Sequence, residues 1–257
     1  MPTHAQLRAL LNAKAQAFNQ PGFIADDPVS LPHRYTDPVD IEVSGFLAAT
    51  IAWGNRKTIL NSASKLCALM DDAPRQFLLE HTPKDLRRFE GFVHRTFNGD
   101  DALFFIGRLA QLYRRGSGLE DLFTSSFAQH GNLAEAIGAA KDAFFDAPHL
   151  ERTRKHFSDP RKGSAAKRLN MYLRWMVRDD QAGVDFGQWK GIPMSALRMP
   201  LDVHTGNVAR HLGLLTRKQN DWKAVEELTA ALAKFDPEDP VKYDFALFGM
   251  GAVEGVR

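Results

Sequence analysis

In PLDVHTGNVARHLGLL, residues 200–215, a carboxylate and an imidazole stand two apart, Asp202 and His204, where a helix is predicted to begin. An aspartate in that place is a good N-cap, because its side-chain oxygen accepts from the first unpaired backbone N–H groups. A cap also aims its carboxylate out of the helix end, where it can meet a proton or a developing cation. A second candidate lies 35 residues upstream: Lys167 falls in the first turn of AAKRLNMYLRWMVR. Desolvated there, its amine is a nucleophile able to form a Schiff base; exposed, it is one more phosphate contact. Some twelve helical residues carry the chain about 18 Å from Lys167. The turn-rich segment DDQAGVDFGQWKGIPMSALRMP that follows is long enough to bring Asp202 back beside it. His204 and His211, seven apart, find no third convergent ligand, so no metal is expected. His204 is expected to donate to backbone near the helix start.

The stretch before and around Lys167 is cationic. Between Leu150 and Arg178 lie Arg152, Arg154, Lys155, Arg161, Lys162, Lys167, Arg168, Arg174 and Arg178 against Glu151 and Asp159, a surplus of seven. Such a run is either a solvated helix face or the track of a phosphate backbone. Within it, RKGSAAKRLN places a Gly163–Ser164 turn before the helix, with Lys162 and Arg168 beside it. Unpaired N–H groups at that end can seat a phosphate, and Ser164 can instead simply cap the helix. Leu169, Leu173, Met176 and Val177 form one stripe of the helix; Lys167, Met171, Arg174 and Arg178 form another.

The elements that must hold these residues are helices. Asp37 and Pro38 open one whose apolar positions recur at Val43, Leu47 and Ile51. The same period marks Ile59, Ala63, Leu66 and Met70, then Leu133, Ile137, Ala140 and Phe144, then Val225, Leu228, Leu232 and Phe235. Shorter stripes run through Phe105, Leu109 and Leu112 and through Leu119, Leu122 and Phe123. No period-two run is long enough for a sheet, so the fold class is all-α. With 257 residues, 44% of them hydrophobic, one large domain or two lobes can be built. Cys67 is the one cysteine, which excludes a disulfide framework and an iron–sulfur cluster held by this chain's thiolates. MPTHAQLRALLNAKAQAF lacks a signal peptide's apolar core, and no run approaches the roughly 18 apolar residues of a membrane span. A cytoplasmic protein with no membrane partner is expected.

GSAAKRLNMYL resembles the hairpin-and-lysine stretch of the helix-hairpin-helix DNA glycosylases of the endonuclease III superfamily, roughly G-V-G-x-K before a helix. PLDVHTGNVARHLGL is similar to that superfamily's V-D-T-H-x-x-R-V-x-x-R-L-G-L signature, and the two motifs occur in the expected order. DIEVSGFLAATIAWGNRKT resembles the early helix that ends near the base pocket, which points to Trp53, Asn55 and Arg56. The long interval between Lys167 and Asp202 is similar to the archaeal 8-oxoguanine DNA glycosylase branch. There an aspartate and an aromatic four residues later on the last helix help hold the flipped base, and KYDFALFGMGA offers Asp244 and Phe248. Met171 stands where that branch would stack an aromatic on the base. The hairpin lacks the L-P-G-V-G consensus. The chain as a whole resembles an uncharacterised bacterial family related to that branch, over most of residues 37 to 251.

The resemblance implies a single two-lobed helical module over residues 1–257, with a modified helix-hairpin-helix and an active-site cleft between the lobes. It implies excision of a damaged base, an oxidised purine for instance, from double-stranded DNA by a cofactor-free monomer. Lys167 would be the nucleophile and Asp202 the electrostatic or acid–base residue. Trp53, Asn55, Arg56, Met171, Asp244 and Phe248 would line the base pocket, and Lys162, Gly163, Ser164, Arg168, Arg174 and His204 would contact DNA. An attacking lysine would add lyase activity at the abasic site. Two rivals are an N-glycosidase acting on a modified nucleoside or nucleotide, and a non-catalytic nucleic-acid-binding helical module. A continuous basic rim from Arg152 to Arg178 would speak against the first, and a Lys167 amine turned away from Asp202 would favour the second.

Overall fold

The computed structural model describes residues 3–256, and most of them are helical. In chain order the helices and strands are α1 His4–Phe18, α2 Pro38–Thr50, α3 Arg56–Leu69, α4 Pro74–Glu80, α5 Pro83–Leu86, β1 Val93–His94, β2 Phe97–Asn98, α6 Gly99–Arg114, α7 Leu119–His130, α8 Leu133–Phe144, α9 Lys167–Val177, α10 Val203–His211, α11 Trp222–Ala233 and α12 Tyr243–Ala252. Short polar residues start many of them. Asp37 accepts from Val39 N and Asp40 N with Pro38 at the first helical position, Asn55 caps α3 and Asp221 caps α11. Asn98 and Asp101 close a reciprocal capping box on α6. Each helix that periodicity predicts is present, with Ile51, Met70 and Phe235 just beyond the ends of α2, α3 and α11. The two-residue strands pair antiparallel, Val93 with Asn98 and His94 with Phe97, too short to leave a period-two signal. Among the described residues no helix is long and apolar enough to cross a membrane.

The chain divides into two compact units. One comprises Ile24–Gly131 and Ala136–Ser158. Its core is a cluster of phenylalanines: the Phe46 ring lies 6.0 Å from Phe105, 5.8 Å from Phe144 and 6.0 Å from Phe157. From Glu42 to Thr50 every residue of α2 is buried, which is why its sequence is apolar almost all round.

The other unit comprises the chain up to Phe23, Asn132–Glu135 and the chain from Asp159 onward. Here α12 packs against α1 and α10, burying Leu7, Leu11 and Ala15 of α1. Helix α9 is buried at every position from Leu169 to Val177. The segment after it folds back along its end: Phe186 N donates to Trp175 O at 2.7 Å, and Trp189 N to Met176 O at 2.8 Å. Trp189 meets Tyr172 edge-on with 5.4 Å between ring centres. Farther on, Arg198 pairs with Glu226 at 2.9 Å and Met199 N donates to the Thr229 hydroxyl, fastening the return segment to α11. This irregular segment closes the 35-residue interval and delivers Asp202 to the start of α10.

Candidate active site

Asp159 opens the approach to α9 by accepting from Arg161 N at 3.1 Å, over a short 3-10 turn at Pro160–Lys162. Gly163, at φ +83°, ends that turn. Ser164 does not cap α9: its hydroxyl accepts from Ala166 N at 3.2 Å, one residue before the helix. The cap position belongs to Ala166, at φ +46°, whose methyl group has nothing to offer the helix end. Lys167 is therefore the first helical residue. Its Nζ lies 3.8 Å from Asp202 Oδ2 and 3.7 Å from Met171 Sδ. Met171 is buried, so the amine rests on a thioether floor while 30% of the lysine side chain reaches solvent.

Asp202 divides its carboxylate between two tasks. Oδ1 accepts from Thr205 N at 3.0 Å and caps α10, while Oδ2 faces the lysine. A residue chosen by helix propensity alone would need only the first oxygen. The second stands with an amine across from it at the mouths of two helices, an arrangement suited to proton exchange and to holding a cation.

Behind the pair lies a buried ionic network. Arg174 binds Asp244 through Nη1 and Asp185 through Nε at 3.2 Å. Arg178 binds Asp185 at 3.0 Å, Asp239 at 2.9 Å and Asp180 at 2.7 Å. Both guanidiniums lie over the Phe245 ring, at 4.3 and 5.5 Å from its centre. Burial pushes the Asp244 carboxyl up to about 6; Arg174 opposes that shift and the negative charge of Asp202 adds to it. Phe248 is half-buried and meets Phe23 edge-on at 6.1 Å.

Several expectations are corrected here. Arg174, expected on DNA, is 3% exposed and neutralised by aspartates, as is Arg178. A stripe of two cations and a methionine thus lies inside the protein because Asp185, Asp239 and Asp244 meet it there. Asp185 and Asp239 have no motif to announce them; the available signal is two arginines four apart on a helix whose other residues from Leu169 onward are, Asn170 aside, apolar or aromatic. His204 is exposed, its imidazole makes no hydrogen bond among the described residues, and it meets Phe248 edge-on at 6.4 Å. The basic stretch is largely self-neutralised, with Arg152 on Asp101, Arg154 facing Asp142 and Arg161 on Asp159. Lys162 and Gly163 are exposed, Ser164 and Arg168 half-buried, and burial draws the Arg168 guanidinium down to about 10.

Trp53, Asn55 and Arg56 belong to the unit containing α2 and α3, where they have neighbours of their own. The Trp53 indole stacks on His156 at 5.7 Å and stands perpendicular to His94 at 5.1 Å. His156 Nε2 lies 3.2 Å from the buried Asp101 carboxylate. Asn55 is exposed and caps α3, accepting from Thr58 N at 3.3 Å; Arg56 is exposed at the first position of that helix.

Residues 27–253 match the model of a family described as protein of unknown function (DUF2400). No curated protein matches the chain, and no solved structure does.

Proposed function

We propose, for a chain that belongs to the DUF2400 family, that Lys167 and Asp202 are the reacting pair of a base-excision DNA glycosylase with lyase activity. The observation that carries this reading is the 3.8 Å approach of Lys167 Nζ to Asp202 Oδ2, across 35 residues of sequence and at two helix starts. Breaking an N-glycosidic bond builds positive charge on the sugar. A carboxylate about 4 Å from that charge, at an effective dielectric near 20, is worth about 4 kcal/mol, less where solvent screens it. About 4 kcal/mol felt only in the transition state is roughly a thousandfold in rate. The lysine gives up a proton, which the departing base takes, so that Asp202 keeps its negative charge, and the lysine's lone pair attacks C1′ as the bond to the base breaks. The base leaves with the bonding electrons and that proton. Opening of the sugar ring at the resulting adduct gives the Schiff base through which the strand is cut. Reaching the sugar requires the damaged nucleotide to leave the stack.

The test is borohydride trapping on a panel of lesion-containing duplexes. A covalent protein–DNA band should form with one lesion or more and vanish in Lys167→Gln, which keeps length and hydrogen bonding but has no amine. A panel with no trapped band and no base release sinks the reading.

A second reading, an N-glycosidase acting on a modified nucleoside or nucleotide, is favoured by one observation. Six of the nine cations between Arg152 and Arg178, Lys167 among them, face carboxylates of this chain rather than forming a continuous basic rim. Release of free base from nucleosides, with no effect on duplexes, would select it.

A further inference from the structure

We propose that the turn Asn220–Trp222 is a bracket that sets the separation of Lys167 and Asp202, with Asn220 as a positioning residue and Arg210 and Gly206 as the residues that place it. The inference rests on reading Lys167 and Asp202 as the reacting pair.

Three consecutive residues reach the segments in front of both helices. Asn220 Nδ2 donates to the Asp202 carbonyl at 3.0 Å, and Gly206 N donates to the same oxygen at 2.9 Å. With Thr205 N on Oδ1, the Asp202 backbone and side chain are held together. The next residue, Asp221, forms an isolated antiparallel bridge with Ser164, and Trp222 N donates to Gly163 O at 3.1 Å. Ser164 lies three residues before Lys167. One short turn thus grips the chain ahead of the amine and the chain at the carboxylate. The turn is itself stiff, since Asp221 caps α11 through Ala224 N at 3.1 Å and binds the Arg217 guanidinium.

Asn220 is exposed, and an exposed amide is not held without help. Arg210 supplies it: Nη2 donates to Asn220 Oδ1 at 2.6 Å and to Lys218 O at 3.0 Å, and Nε donates to Arg217 O at 2.8 Å. With its oxygen engaged by the guanidinium, the amide has its NH2 left to turn toward Asp202. Residue 206 must be small for this. A Cβ there would stand 2.8 Å from Arg210 Nη1 and 2.9 Å from Asn220 Oδ1. Glycine in the middle of α10 is a poor helix former, and the clasp is what its absent side chain makes room for.

The test reads the pair itself rather than turnover. A water-soluble carbodiimide condenses a carboxylate with an amine in contact, and peptide mapping by mass spectrometry quantifies the Lys167–Asp202 isopeptide. Asn220→Ala and Gly206→Ala should each lower its yield by about fivefold or more, since displacements near 1 Å can cost reacting groups about a hundredfold. Gly206→Ala should do so with thermal stability held or raised, because alanine favours a helix over glycine. Lys218→Ala, which leaves every one of these contacts in place, should couple as the wild type does. No isopeptide in the wild type, or wild-type yields in both variants, overturns the bracket. Coupling that behaves as expected in a protein that traps no DNA and releases no base leaves the bracket standing and removes the glycosylase reading, so the two failures are distinct.

Discussion

Asp202 is a cap and a site residue at once, because its two oxygens point to different partners. That division makes a sharp mutational prediction. Asparagine caps about as well as aspartate, so Asp202→Asn should change folding stability by no more than about 0.5 kcal/mol in urea or thermal melts. What it removes is the charge facing the amine and any sugar cation, so base release should fall by about 10²–10³-fold. A variant that melts yet keeps its turnover per folded molecule would make Asp202 structural only. The cap was legible, since a proline, an aspartate and a helical pattern stand in order. The empty cap of α9 was not. Nothing in GSAAKRLN says that the chain passes through the left-handed region at Ala166, so capping by Ser164 stays open in the sequence as one of two readings.

For α9, the helix that carries Lys167, the sequence pattern led astray. Periodicity finds a stripe of Leu169, Leu173, Met176 and Val177 and reads the arginines opposite as a wet face. Arg174 and Arg178 are instead inside, each facing two or more carboxylates. Breaking such a network by removing one member leaves charges buried without partners. Arg174→Met should therefore cost about 3–5 kcal/mol of stability, measured by urea melts. A DNA-contacting arginine would show the reverse: an unchanged melt and a shallower salt dependence. The periodicity of a helix reports which positions share a face, and not whether a carboxylate from far along the chain will meet the polar ones.

At the scale of the whole molecule, near-neutral net charge hides a cationic stretch that is largely taken up by internal pairs. Lys155 and Lys162 are its exposed lysines. If the protein binds duplex DNA through Lys162, replacing it with alanine should shallow the log–log salt slope by about 1, near one unit for each phosphate no longer neutralised. Fluorescence anisotropy with a labelled duplex at several salt concentrations would measure it. An unchanged slope would put the phosphate track elsewhere on the chain.

The sequence by itself determined the helices, several of their caps and the identity of the two residues now seen face to face. These follow from local rules, in which hydrophobic period and short polar side chains act within a few residues. Asp244 and Phe248 lie in the same unit as Lys167 and Asp202. Only the tertiary structure decided that Lys167 and Asp202 meet at 3.8 Å, that Asp185 and Asp239 bury two arginines, and that Asn220 reaches back to Asp202. Each of these joins residues separated by many positions with no fixed spacing. They depend on ion pairs and hydrogen bonds between distant residues and on a return segment whose course is set by packing, and neither leaves a period in the chain.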